Sequence, residues 1–263
     1  MAAFANGLAL GADGLELDVR LSKDGVVVVH HDATLDRTTD MTGPVARSTA
    51  HELAAADARR RFTGVTGQAL RVEQRREGRE GREGREGQEG REGQEGREGR
   101  QEHGVPTLAA VLSRFPDARI IVELKENTRE LAHAVVAAVR HAGAEDRVCL
   151  GSFGGRVLGA VRGAAPEIAT SASREEVRWA LYRSWCHWPV RGASYGGYQV
   201  PEVAGTTRVV SPKFVSDAHR ANLKVQVWTV DDPGDAERLL GWGVDALITD
   251  RPDLIVPVVR GSS

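Results

Sequence analysis

Short, unbroken runs of β-branched and aliphatic residues recur along this chain, and they constrain its fold more than any other feature. Val26 to Val29, Ile120 to Val122, Val148-Cys149-Leu150, Val225 to Val230 and Ala246-Leu247-Ile248 are the clearest of them. A half-solvated strand alternates apolar and polar residues, whereas a strand buried on both faces of a parallel sheet reads as a continuous apolar run. Between the runs lie stretches of helical period. Leu108, Val111, Leu112 and Phe115 follow i, i+3, i+4, i+7, and Leu131, Val135 and Val139 follow i, i+4, i+8. Strand and helix alternating along the whole chain predicts parallel βαβ units. A closed barrel and an open doubly wound sheet both satisfy that pattern, and both bind ligands at the carboxyl ends of their strands. The length of 263 residues suits a single (β/α)8 barrel, which takes about 250.

Acids sit where such a fold would expose them to a ligand. In Gly14-Leu15-Glu16-Leu17-Asp18-Val19, Glu16 and Asp18 are two apart, so a strand points both to one face. Two neighbouring carboxylates repel each other, and a divalent cation relieves the repulsion. An exposed acidic strand face is the plainer alternative. A third acid weighs against it: Arg119-Ile120-Ile121-Val122-Glu123-Leu124-Lys125 ends in Glu123 and Lys125, again on one face. Glu16, Asp18, Glu123 and His31 all fall at or near predicted carboxyl ends of strands.

Seven motifs, in order, resemble the glycerophosphodiester phosphodiesterase family. They are Glu16-Leu17-Asp18-Val19, Lys23-Asp24-Gly25, His31-Asp32 with Leu35-Asp36-Arg37-Thr38-Thr39, Pro106-Thr107-Leu108, Glu123-Leu124-Lys125, Trp228-Thr229-Val230 and Gly243 through Asp250. They run from residue 2 to about residue 255, and the segment from about 63 to 104 falls outside the pattern. The resemblance implies a TIM (β/α)8 barrel and metal-dependent hydrolysis of glycerophosphodiesters to glycerol 3-phosphate and an alcohol, a step in lipid and glycerol metabolism. It makes Glu16, Asp18 and Glu123 the metal ligands, and three carboxylates suit a hard cation, Mg²⁺ or Ca²⁺. It also implies that His31 is a general acid or base and that Lys125 offsets phosphate charge. The family's proposed route is attack by the substrate's own glycerol hydroxyl, through a cyclic phosphate that water then opens. Trp228 matches a position that could wall the substrate pocket, with core packing an equal alternative. Strand alternation sends His30 and His31 to opposite faces, and the family's histidine directly precedes the aspartate, which selects His31.

Family members open with a first strand ending in His-Arg-Gly, followed by a Pro-Glu-Asn-Thr turn. Met1 to Ala5 aligns with the residues directly after that turn. The expectation is therefore a barrel lacking its first strand, a second catalytic histidine and a phosphate-binding arginine in this chain. The last strand, Asp245 to Thr249, would then have no first strand to pair with. Two explanations compete. Either translation starts upstream, with in-frame DNA encoding the two motifs, or the chain is a truncated relic that keeps only cation and phosphate binding. Because every downstream site residue is kept, the first is favoured, and a stop codon directly upstream of Met1 would overturn it.

From about residue 73 to 102 the chain repeats Arg-Glu-Gly and Gln-Glu-Gly. Its glycine spacing matches collagen, but no proline lies between Arg71 and Val105, and collagen needs many. Glycine at that density defeats a helix. The expectation is one domain over residues 1–263 interrupted by a disordered, solvated loop, which loop-closure entropy allows.

Composition supplies exclusions. A net charge of −2 gives no electrostatic case for nucleic acid. With no run of about 18 apolar residues, no transmembrane segment is expected, and no signal peptide is visible, leaving the cytoplasm as the default. A small-molecule substrate is the expected partner, and no specific protein partner is inferred. Cys149 and Cys186 read as buried thiols. Gly151-Ser152-Phe153-Gly154-Gly155 fits an ordinary loop between strand and helix better than a nucleotide-binding motif. Trp179, Trp185 and Trp188, with Leu181 and Tyr182, form an aromatic-rich patch that reads first as packing, second as a site mouth or a lipid contact. His51, His103, His133, His141, His187 and His219 show no metal-ligand spacing.

Overall fold

A computed structural model describes residues 1–58, 103–186, 188 and 190–261. The Arg-Glu-Gly repeat and His187 lie outside the described residues.

Helix α1 (Ala2–Ala9) leads into strand β1 (Gly14–Leu21). β2 (Val27–Val29) follows, then the short α2 (Ala50–Ala54) and, beyond residue 102, α3 (Leu108–Arg114). Strand and helix then alternate: β3 (Arg119–Leu124), α4 (Arg129–His141), β4 (Val148–Gly151), α5 (Gly155–Ala164), β5 (Ala169–Thr170) and α6 (Arg174–Trp185). After β6 (Gly197–Pro201) comes a small hairpin of β7 (Val203–Ala204) and β8 (Thr207–Arg208). α7 (Pro212–Arg220), β9 (Lys224–Trp228), α8 (Pro233–Gly241), β10 (Ala246–Leu247) and α9 (Pro252–Gly261) complete the chain.

β1, β3, β4 and β5 form a parallel sheet in chain order. A parallel bridge between Ser171 and Gly197 carries the ladder onward to β6, which pairs with β9, and β9 with β10. Seven parallel strands therefore follow one another in space as in sequence, the arrangement of a TIM-type (β/α) barrel. Among the described residues no strand lies between β10 and β1. There the last helix approaches the first strand, with Arg260 Nη2 donating to Gly11 O at 3.1 Å and to Asp13 Oδ1 at 2.6 Å.

The run Val26 to Val29 departs from expectation. β2 is antiparallel to β1, with Val19 opposite Val29. Lys23-Asp24-Gly25 is the turn that makes this hairpin: Gly25 has φ +76°, a conformation cheap only for glycine. Asp24 steadies the turn, accepting from Ser22 Oγ at 2.6 Å and from Ala50 N at 2.9 Å.

Alternation along the strands divides polar from apolar. Leu15, Leu17 and Val19 of β1, with Ile120, Val122 and Leu124 of β3, are buried in a core shared with α3, α4 and α5. Each such side chain contributes roughly 1.5–3 kcal/mol on burial. A second core gathers Tyr198, Val200, Val225 and Val227 with Phe214, Leu239 and Ile255. The intervening residues of β1 and β3, among them Glu16, Asp18 and Glu123, face the other way and are only partly buried. Arg147 ties the first core together by donating to Leu112 O, Phe115 O and Ala118 O at 2.9–3.1 Å, satisfying carbonyls at and beyond the end of α3.

Two expectations about packing are corrected. Cys186 is exposed, whereas Cys149 is partly buried, and burial pushes the Cys149 thiol up to about 11. The aromatic patch does not pack inward: Trp179, Tyr182, Trp185 and Trp188 all stand exposed, and only Leu181 is buried.

Candidate functional site

The register of β1 against β3 sets Asp18 directly opposite Glu123. Because Glu16 shares the face of Asp18, one carboxylate oxygen from each of Glu16, Asp18 and Glu123 lies within 4.8 Å of the others. Lys125 follows β3 and bridges two of them, its Nζ 2.8 Å from Asp18 Oδ1 and 3.0 Å from Glu123 Oε1. Three acids and one ammonium leave this cluster with excess negative charge at partial burial. The consequence shows in Glu16. Burial first, then the charges of Asp18, Glu123 and Asp250, push its carboxyl up to about 8, and Lys125 offsets only part of this. Burial works against the Lys125 ammonium, yet its bonds to Asp18 and Glu123 hold it above the ordinary lysine value. An all-oxygen set with unbalanced charge fits a hard divalent cation.

The histidine pair lies just beyond β2, and the two side chains differ in burial. His30 is buried; its backbone N–H bonds Asp18 O at 2.9 Å and its Nε2 donates to Thr34 O at 3.0 Å. Burial lowers its affinity for a proton. His31 is open, with 62% of its side chain exposed, and its Nδ1 lies 2.6 Å from Asp32 Oδ1. Arg37 grips the same carboxylate through Nε at 2.6 Å and Nη2 at 3.0 Å, and that guanidinium first, then His31, holds Asp32 far below the usual carboxylate range. The backbone of His31 is anchored too. Arg20, on the same face of β1 as Asp18, donates to His31 O from Nε and Nη2 at 3.1 and 2.9 Å and pairs with Glu126 at 3.0 Å.

Glu123 and Lys125 also line a cavity of about 330 Å³ with Asn127, Ser152, Phe153, Gly154, Arg174 and Glu175. The loop after β4 forms one wall. Ser152 Oγ donates to Leu124 O at 2.7 Å and accepts from Gly154 N at 3.1 Å. A Cβ on Gly154 would meet the Asn127 side chain at 2.3 Å, so only glycine lets the loop close this tightly. Trp228 does not enter the cavity lining. It meets Phe153 edge to face, ring centroids 6.0 Å apart, and so backs the residue that does.

Thus the structure gathers Glu16, Asp18, Glu123 and Lys125 into one contact cluster, ties His30, the neighbour of His31, to Asp18 through the backbone, and joins Trp228 to the cavity through Phe153. Arg20, Phe153, Asn127 and Arg174 escaped sequence reading. Of these, Arg20 carried a signal in its i, i+2 spacing, which puts it on the face of Glu16 and Asp18, and Phe153 carried one in its place on the loop between strand and helix.

The family model of the glycerophosphoryl diester phosphodiesterase family matches residues 1–254. The chain belongs to this family. A glycerophosphodiester phosphodiesterase of Caldanaerobacter subterraneus subsp. tengcongensis is 28% identical over 265 residues, covering 99% of this chain and 91% of that protein. The crystal structure of the glycerophosphodiester phosphodiesterase from Agrobacterium tumefaciens superposes with a TM-score of 0.68 at 26% identity, over 97% of this chain and 91% of that one. An Oleispira antarctica phosphodiesterase, solved in complex with the product sn-glycerol-3-phosphate, shares the fold with a TM-score of 0.68 at 24% identity, over 98% of this chain and 89% of that one. Membership of the glycerophosphoryl diester phosphodiesterase family makes the chain a phosphoric diester hydrolase by class, and its (β/α) architecture is that of its solved relatives.

Proposed function

We propose that this family member hydrolyses glycerophosphodiesters to glycerol 3-phosphate and an alcohol with the help of a divalent cation held by Glu16, Asp18 and Glu123. The observation that carries the reading is the cluster itself: three carboxylates within 4.8 Å of one another, served by a single lysine. A bound Mg²⁺ or Ca²⁺ would balance the carboxylates and draw the phosphodiester's negative charge to the site.

The chain's own residues supply the rest. Lys125, held charged between Asp18 and Glu123, provides a fixed positive charge for phosphate oxygens. His31 acts as general acid–base. Its Nδ1–H donates to Asp32, a tautomer that leaves Nε2 free to accept the proton of an attacking hydroxyl and return it to the leaving alcohol. Arg37 and Arg20 act through it, one fixing Asp32 and the other the His31 backbone. Phe153, backed by Trp228, forms an apolar wall for the substrate's alcohol portion. The product named for the Oleispira antarctica relative, sn-glycerol-3-phosphate, is consistent with this chemistry.

The test is release of glycerol 3-phosphate from glycerophosphocholine by the 263-residue chain, with Mg²⁺ or Ca²⁺ and then with chelator. Turnover that the chelator abolishes is expected. A folded, cation-binding chain with no turnover would overturn hydrolysis by these 263 residues and leave cation binding alone.

A further inference from the structure

Helix α6 carries a second surface feature that catalysis leaves unused. Its inner face is ordinary: Ala180, Leu181 and Ser184 are buried and Val177 packs on the second core. Its outer face is not. Of the nine large hydrophobic side chains exposed among the described residues, four lie between 179 and 188. Trp179, Tyr182, Trp185 and Trp188 are 67%, 56%, 58% and 71% exposed. The first three touch one another, with centroids 6.3 and 5.8 Å apart, so they form a continuous strip rather than scattered rings. A monomer in water leaves that area unburied, and contiguous exposed apolar area marks a surface that meets something.

The charges around the strip say what. Arg174, Arg178, Arg183 and Arg191 all occur on or just beyond this helix, and all are exposed. Against them stand Glu175 and Glu176. Glu176 is already neutralised by Arg162, at 2.7 and 3.0 Å, and by the Ser173 backbone N–H at 2.7 Å. The surface is therefore aromatic and net basic. Tryptophan and tyrosine rings settle at the headgroup level of a bilayer, apolar body inward and polar edge in water. Arginines beside them attract anionic headgroups.

We propose that the outer face of Arg174–Trp185, together with Trp188, docks the protein on an anionic phospholipid surface. The first residues of the same helix, Arg174 and Glu175, line the cavity beside Glu123 and Lys125, and Arg174 lies over the Phe153 ring at 5.0 Å. Docking through this helix brings the cavity up to the headgroups. The choice of phospholipid over a protein partner rests in part on the proposed substrate, a diester left when a phospholipid loses its acyl chains; the binding itself needs neither cation nor turnover.

The experiment is co-sedimentation of the full chain with vesicles of phosphatidylcholine plus phosphatidylglycerol, and with phosphatidylcholine alone, while tryptophan emission is followed. The expected result is a blue shift and binding to the anionic vesicles that weakens with salt. Trp179→Ser combined with Trp185→Ser should lower the partition coefficient about tenfold or more, each ring taking its buried area with it. Arg178→Glu should lower it more than about fivefold, beyond the loss of one basic residue near the surface. Thermal melting and turnover of soluble glycerophosphocholine should match the parent in both variants. Three outcomes would overturn the proposal: no binding by the parent chain, equal binding by the double tryptophan variant, or a parent homodimer that the tryptophan substitutions split. Loss of turnover with retained vesicle binding would sink the hydrolytic reading and leave the docking surface standing.

Discussion

Two clusters of charge in this molecule each set carboxylates against cationic side chains and end in opposite states. Beyond β6, Glu202 accepts from Arg208 at 2.6 Å and from both terminal nitrogens of Arg238 at 2.8 and 2.9 Å. Asp235 joins Arg238, and both arginines lie over the Trp242 ring. Two acids meet two guanidiniums, and the bond to Arg238 chiefly holds Glu202 below the usual carboxylate range. At the barrel mouth, Glu16, Asp18 and Glu123 share one lysine, and Glu16 is driven to about 8. A matched cluster stabilises the fold in the absence of any ligand. An unmatched one costs stability, and the proposed cation would relieve that cost.

The sharpest way to break this contrast is Glu123→Gln. Removing one proposed ligand from the unmatched cluster should lower turnover by at least about 10²–10³-fold, the scale of losing one preorganised electrostatic partner. Retained glycerol 3-phosphate release would overturn the ligand assignment.

Glu16→Gln tests the destabilisation directly. The Glu16 carboxyl is raised from 4.5 to about 8 on folding, so the folded state binds its proton more tightly than the unfolded chain. Its contribution is complete below pH 4.5 and is lost as pH rises through 8, at up to about 1.4 kcal/mol per pH unit. Without cation, Glu16→Gln should therefore melt above the parent at pH 8. Added Mg²⁺ should stabilise the parent and leave the variant unmoved. A cation-free variant that melts lower than the parent at pH 8 would contradict the contrast.

Arg238→Ala in the matched cluster should show the smallest effect. Arg238 is about one-third exposed, so solvent screening limits the loss to about 1 kcal/mol or less, shrinking with salt. Chemical denaturation at low and high salt measures it. Turnover should not change.

Much of the site was legible in the sequence because the period of a strand is rigid. Glu16 and Asp18 had to share a face, as did Glu123 and Lys125, once each segment was a strand. His31 was chosen over His30 on the family's His-Asp motif, and both lie just beyond β2. What could not be read was register: nothing local states that Asp18 lies opposite Glu123, or that Lys125 reaches across to Asp18. The antiparallel pairing of Val27–Val29 was similarly hidden, although Asp24-Gly25 before the valines is a hairpin signal. β5 has two residues, and β6 carries Gly197 and Pro201, so neither presents the apolar run that marks the other strands. The aromatic strip misled because a tryptophan's apolarity predicts burial on average, while the side chain's direction on α6 decides it.

By itself, then, the chain determined its alternation of strands and helices, the family it belongs to, and which side chains share a strand face, because those properties follow from local periodicity and motif. Tertiary structure decided the rest: which faces meet, that three carboxylates converge and two of them share one lysine, that Phe153 with Arg174 forms the cavity wall, and that four aromatics remain in water. Each of these depends on contacts between residues far apart in sequence, where no local period reaches.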